Sequence, residues 1–273
     1  MKMIRIKYIT LGKPSRNHIN RDLSDILQQR LSGSDSMQVV DTSPELVHIV
    51  GTWTRGSVNA IKKIKAKKLP VIFTSIEGLA PLVDMNGDRT RSIAKMAVIR
   101  NICSKCDIIH VCGPIEDSVL KSVAKKARTT IIANSTFTSL TNETAMTDLF
   151  ANTYESIYAA NTSQINDGIK AKVKAATDNK TIADICTRLL YLRSRYIMGC
   201  IKQEFLDETS RLLVASDYDE NEMARVLTTL GITKFSAYSM TLLEQKSQLT
   251  EGFMPIASAE GRIADRMLNM TVQ

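Results

Sequence analysis

The chain has 273 residues, of which 44% are hydrophobic and 23% charged, as expected for a globular protein with one large domain or two small ones. No apolar run reaches the roughly 20 residues that a membrane-spanning helix needs, which excludes an integral helical membrane protein. The five cysteines favour a reducing compartment over a disulfide framework. Because Arg5 and Lys7 interrupt the opening segment MKMIRIKYITLG, we interpret it as a β-strand and not as a signal peptide, and we predict a cytoplasmic protein.

The formal net charge of +8 is unevenly distributed along the chain. Residues 1–140 contain 22 Lys and Arg against 11 Asp and Glu, whereas residues 141–273 contain 14 against 17. This asymmetry indicates two regions with different partners.

Short apolar runs alternate with helical patterns through the first half of the chain. Six runs rich in Val and Ile predict strands at Met3–Ile9, Met37–Val40, Leu46–Val50, Val71–Thr74, Ile108–Cys112 and Thr130–Ala133. Helical patterns lie between them at 19–32, 56–68, 90–104 and 115–127. Repeated β–α units of this length predict an α/β fold with a single doubly wound, mainly parallel Rossmann-like sheet.

After about residue 140 the strand pattern ends and helical patterns predominate. They cover 142–160, 163–177, 181–200, 202–215, 219–230, 233–250 and 257–270. We therefore predict a Rossmann-like domain at residues 1–140 and an all-helical region at 141–273 that packs on it, with Thr141 or Asn142 capping the first of these helices.

The loops that follow the predicted strands contain most of the special residues of the chain. Open parallel sheets bind ligands outside the carboxyl ends of their strands. The substrate-binding or acceptor-binding candidates in these loops are Gly12, Lys13, His18, Gly51, Trp53, Arg55, Glu77, Gly78 and Asn134. No G-x-G-x-x-G, P-loop or G-x-S-x-G motif is present, so we predict no cofactor and assign no catalytic residue.

The cysteine and histidine positions give little support for metal chemistry. Cys103, Cys106 and Cys112 form C-x2-C-x5-C, but neither a second C-x2-C pair nor a His pair follows, so we predict no metal site. His48 and His110 lie inside predicted strands, and we interpret both as hydrogen-bonded core residues.

One predicted helix is crowded with lysines, and Ile61 and Ile64 lie on its other side. The membrane-facing basic candidates are Lys62, Lys63, Lys65, Lys67 and Lys68. A solvated helix face and an anionic lipid surface both explain this pattern, the latter attracting each basic residue by about 1 kcal/mol. The 5% aromatic content and the lack of known nucleic-acid motifs argue against nucleic acid. We predict peripheral association with the inner face of the plasma membrane.

Four segments follow one another within about residues 1–137: SPELVHIVGTW, LPVIFTSIEGLAPL, IRNICSKCDIIHVCGPIEDSVLKS and RTTIIANSTF. In order and spacing they resemble the N-terminal acceptor-side domain of family-four-like GT-B glycosyltransferases. The next segment, LTNETAMTDLFANTYESIYAAN, is similar to the final helix of that family, which crosses back onto the N-terminal domain. Glu77 and Val50 stand where the family often has histidines, and the E-x7-E motif of its donor-binding domain is absent.

The resemblance implies a glycosyltransferase-like protein in polysaccharide or glycoconjugate biosynthesis that acts as the acceptor-side half or as an accessory subunit. It also implies a glycosyltransferase partner chain that supplies the donor domain, and a lipid-linked acceptor. One alternative is a non-catalytic binding or scaffold protein on a degenerate GT-B half. Another is a stand-alone transferase with an atypical donor site, for which the candidates are Arg193, Arg195, Lys202 and Glu204. The oligomeric state is left open.

Overall fold

The computed structural model describes residues 3–12, 20, 22–79, 89–134 and 142–272, with the backbone alone for residues 89–92. The chain divides into two compact units, residues 1–161 and residues 162–273. We describe each unit by itself.

The first unit contains a six-stranded sheet in which every pair of neighbouring strands is parallel. The strands are β1 (Ile4–Leu11), β2 (Met37–Val39), β3 (Leu46–Gly51), β4 (Val71–Ser75), β5 (Ile108–Val111) and β6 (Thr129–Ile131). Their spatial order is β2-β1-β3-β4-β5-β6. The predicted Rossmann-like parallel sheet is thereby confirmed.

Among the described residues, the helices that connect these strands are α1 (Leu23–Leu31), α2 (Arg55–Ala66), α3 (Arg89–Lys105) and α4 (Pro114–Val123). The connection from β1 to β2 moves across the sheet in one direction, and the connections from β3 through β4 and β5 to β6 move in the other. Right-handed crossovers therefore place α1 on one face of the sheet and α2, α3 and α4 on the other. The strand order reverses between β1 and β3, and the carboxyl ends of these two strands form the topological switch point.

A long helix, α5 (Glu143–Lys174), covers the face that α1 also covers. It buries Met146, Phe150 and Tyr154 completely, in one cluster with the sheet and α1. Asn142 accepts a hydrogen bond from the Ala145 amide at 2.7 Å at the start of this helix. Because this packing joins the first half of α5 to the sheet, the division between the two units falls inside α5, after residue 161.

The described part of the second unit is built from the end of α5 and five more α-helices, α6 (Lys180–Met198), α7 (Gln203–Ala215), α8 (Glu220–Thr229), α9 (Thr233–Ser247) and α10 (Arg262–Asn269). Their apolar faces enclose a separate core, which includes Leu189, Leu227 and Leu243. The helical C-terminal region is thus confirmed. The structure adds a parallel pair of two-residue strands, β7 (Ile201–Lys202) and β8 (Thr271–Val272), which are too short to produce a strand pattern in the sequence.

No helix in the described part of the chain combines the length and the apolar character needed to cross a bilayer.

Candidate functional site

Two candidate glycines meet at the topological switch point. A Cβ atom on Gly12 would lie 2.9 Å from Thr52 Cγ2, and Gly12 has a φ of +106°. A Cβ atom on Gly51 would lie 3.2 Å from Leu11 Cβ. The Thr52 amide donates to the Leu11 carbonyl at 3.1 Å. Both glycines therefore allow the β1 and β3 loops to approach closely, which gives them a steric role at this edge.

Asn20 joins the carboxyl ends of three strands. Its side chain is 2% exposed, and Nδ2 donates to the Ser75 carbonyl at 2.8 Å. Its Oδ1 accepts from Asn134 Nδ2 at 2.9 Å and from Cys112 Sγ at 3.4 Å. Asn134, a predicted candidate, is therefore a buried partner of Asn20. Sequence analysis missed Asn20, because it lies within a predicted helix and its contacts are distant in sequence.

A hydroxyl and a carboxylate lie beside Asn20. The Ser75 side chain is 4% exposed, and its buried Oγ has no hydrogen-bond partner within the described part of the chain. The Glu116 carboxylate, in the first turn of α4, accepts from the Cys112 amide just before this helix. Burial raises the pKa of Glu116, and burial followed by the Glu116 charge raises the pKa of the Cys112 thiol to about 12. The thiol is therefore protonated at neutral pH and is a poor nucleophile.

Four more of the predicted candidates lie at the carboxyl edge of the sheet, after β3 and β4: Trp53, Gly78, Arg55 and Glu77. Trp53 is 5% exposed, its ring centroid lies 5.0 Å from that of Phe73, and its Nε1 donates to the Gly78 carbonyl at 2.9 Å. Gly78 has a φ of +60°. Arg55 is exposed and Glu77 is half-buried, so these two residues present charged groups at this edge. Lys13 and His18 lie outside the described residues.

A chain of buried polar groups crosses the sheet beneath α5. His110 Nε2 lies 2.8 Å from the Ile132 carbonyl and must donate to it. His110 Nδ1 therefore accepts from the Thr74 hydroxyl at 3.1 Å. Thr74 Oγ1 in turn accepts from His48 Nε2 at 2.8 Å. His48 Nδ1 then accepts from the Tyr154 hydroxyl at 2.7 Å. The direction of every bond follows from the one carbonyl acceptor.

This series of hydrogen bonds continues to β1, where the Tyr8 and Tyr154 hydroxyls lie 3.0 Å apart. Because Tyr154 donates to His48, its oxygen accepts the Tyr8 proton. Burial lowers the pKa of His48 to about 3, with a further contribution from His110, and burial lowers the pKa of His110 to about 4. As predicted, both histidines are hydrogen-bonded core residues, and they are neutral at pH 7.

The lysines in the second half of α2 and directly after it lie away from the carboxyl edge. Lys62, Lys63, Lys67 and Lys68 are exposed, whereas Lys65 forms an ion pair with Asp107 at 2.8 Å. Since α2 starts at the carboxyl edge and its 12 residues span about 18 Å, the lysines lie toward the amino edge of the sheet. The basic surface and the candidate site therefore lie at opposite ends of α2.

The described residues contain no group of three His, Cys, Asp or Glu side chains that could hold a metal ion. Of the predicted C-x2-C-x5-C motif, Cys103 is buried while Cys106 and Cys112 are half-buried.

No family model, curated protein or solved structure matches the chain. The fold and the carboxyl edge of the sheet are therefore the basis for a functional proposal.

Proposed function

We propose that this protein is the acceptor-side half of a GT-B-type glycosyltransferase in polysaccharide or glycoconjugate biosynthesis. It works with a partner chain that supplies the nucleotide-sugar site. One observation supports this most strongly: α5 follows the sheet within the first unit and buries Phe150 and Tyr154 against it. Residues 142–272 contain helices and one pair of two-residue strands, and no second open sheet. This is the element order that the resemblance implies for a GT-B chain without its donor domain.

The chemistry of the carboxyl edge suits a polyhydroxylated ligand. The half-buried Glu77 carboxylate can accept hydrogen bonds from sugar hydroxyls, and the exposed Arg55 guanidinium can donate to them. The buried amides of Asn20 and Asn134 hold the strand ends in place beneath this surface. We infer that Glu77 and Arg55 contact the acceptor and that the asparagines position the edge.

Thermal unfolding with a panel of oligosaccharides and nucleotide-sugars tests this proposal. A saccharide acceptor at 100 times its dissociation constant is expected to stabilise the chain by about 2.7 kcal/mol, whereas nucleotide-sugars give no shift without the partner. Glu77→Ala and Arg55→Ala weaken the saccharide response. Lys67→Ala, directly after the far end of α2, is the control and leaves it unchanged. Stabilisation of the isolated chain by a nucleotide-sugar contradicts the proposal and favours a stand-alone transferase.

A second candidate function, non-catalytic binding on a degenerate GT-B half, is favoured by the protonation states of buried groups in the first unit. The two histidines are neutral and hydrogen-bonded, and Cys112 is held as a thiol. Glu116 is engaged by a backbone amide. Cellular complementation separates the two functions: the transferase half loses glycan synthesis with Glu77→Ala, whereas the binding protein retains it.

A further inference from the structure

A cavity of about 610 Å³ lies in the first unit, between the end of α1 and the first half of α5. Ser36, which lines it, comes directly before β2, so the cavity is at the amino edge of the sheet, opposite the carboxyl edge that holds the candidate site. Its volume is within the range of about 300–1,000 Å³ that is typical of ligand sites. Among the described lining residues only Leu31 and Ala151 are apolar, so the cavity suits a polar ligand.

Three polar side chains of α5 form one wall of this cavity. Asp148, Asn152 and Glu155 lie on the same face of the helix, because they are four and then three residues apart. The rise of the helix separates Asp148 from Glu155 by about 10.5 Å along its axis. This spacing favours a ligand of several functional groups over a single metal ion, which binds carboxylate oxygens at about 2.0–2.6 Å.

The other wall supplies hydrogen-bond donors. At the end of α1, Arg30 Nε and Nη2 donate to Glu143 Oε2 at 3.1 and 2.6 Å, which fixes the guanidinium beside the cavity. A guanidinium has five N–H donors, so Arg30 can also donate to a ligand. The Ser36 amide donates to Ser34 Oγ at 3.3 Å and holds this hydroxyl in place. Because a hydroxyl both donates and accepts, a ligand rich in hydroxyls can bond to both walls.

The charges of the lining favour a cationic ligand. Glu143 balances the charge of Arg30, so Asp148 and Glu155 leave the described lining with an excess of negative charge. Asp148 is exposed, whereas Glu155 is half-buried. Water screens an exposed pair more strongly, so Glu155 is the better partner for an ammonium group.

We propose that this cavity binds a small amine that is rich in hydroxyl groups, the chemical class of the amino sugars. The ammonium group of the ligand donates to Glu155, and its hydroxyls bond to Asn152, Ser34 and Arg30. This is a second ligand site, at the opposite edge of the sheet from the proposed acceptor contacts.

Calorimetric titration of the full chain with a matched set of ligands tests the chemistry of the site. Glucosamine, which has both ammonium and hydroxyl groups, is expected to bind saturably. Glucose lacks the ammonium group and putrescine lacks the hydroxyls, so each should bind at least about tenfold more weakly. Putrescine that binds as tightly as glucosamine shows charge attraction alone and overturns the proposal. Glucose that binds equally well, or no saturable glucosamine binding up to about 10 mM, also overturns it.

Variants of the α5 wall test where the ligand binds. Asn152→Trp fills the cavity from an exposed helix position, so the chain keeps its fold by circular dichroism and loses glucosamine binding. Glu155→Gln should raise the dissociation constant about tenfold, and Asp148→Asn by up to about fivefold. Asp167→Asn, which removes an exposed carboxylate further along α5, is the control and leaves binding unchanged. Glucosamine binding that survives Asn152→Trp lies at another site and overturns the proposal.

Discussion

Mild acid should destabilise this protein through its two buried histidines. Unfolding returns each imidazole to its ordinary pKa of 6.5, whereas burial holds His48 near 3 and His110 near 4 in the folded chain. Between these values the unfolded state binds more protons, so stability is lost as the pH falls below 6.5. At about pH 5 each histidine lowers the free energy of unfolding by about 2 kcal/mol, and the pair by about 4 kcal/mol, relative to about pH 7.5.

Urea unfolding at a series of pH values measures this loss. Other groups also titrate, so the informative quantity is the difference between the wild type and His48→Gln. That variant is less stable at every pH, but it should lose about half of the histidine contribution to the pH dependence. Equal pH dependence in the two proteins, or imidazole titration near 6.5 by NMR in the folded wild type, would refute the reasoning.

Three further perturbations have defined outcomes. Gly12→Ala should lower the free energy of unfolding by about 1–3 kcal/mol, because Gly12 has a positive φ and the new Cβ would lie 2.9 Å from Thr52. Gly33→Ala is the control and should be neutral, since no atom lies within 4 Å of its new Cβ. Chemical denaturation of both variants measures the contrast. Asn20→Ala removes the acceptor that the buried Asn134 amide uses, and should lower the free energy of unfolding by about 1–3 kcal/mol. It should also speed hydrogen exchange of the backbone amides at the ends of β4 and β5. Unchanged exchange there would contradict the positioning role of Asn20. Replacing the exposed lysines of the basic surface by glutamate should abolish binding to phosphatidylserine vesicles at low salt; these are Lys62, Lys63, Lys67 and Lys68. Binding that survives the replacement would exclude this surface as the membrane contact.

The sheet is predictable because continuous Val and Ile runs such as 71–74 and 108–112 are typical of strands covered on both faces. The extent of α5 is less predictable. The sequence shows two helical patterns, 142–160 and 163–177, but the structure has one helix from Glu143 to Lys174. The polar residues between the two patterns interrupt the apolar periodicity without interrupting the backbone hydrogen bonds.

The candidate site is predictable in position and less so in detail. Loops after parallel strands indicate the edge, and Arg55 and Glu77 do present charge there. Local sequence does not show which polar residues bond to one another. The Asn20–Asn134 bond joins positions 114 residues apart, and the Trp53–Gly78 bond joins positions 25 residues apart. The lysine pattern predicted a basic surface, but only the direction of α2 shows that it lies far from this edge.

The single direction of the polar chain beneath α5 also limits how this protein can change in evolution. Thr74 both donates to one imidazole and accepts from the other, so valine, which has nearly the same shape, would leave a nitrogen of each histidine without its partner. A tolerated substitution at any one link requires a matching change at the next. The residues of this hydrogen-bonded series should therefore show strong epistasis: the stability costs of single substitutions should not add in double variants. These residues are Tyr8, His48, Thr74, His110 and Tyr154.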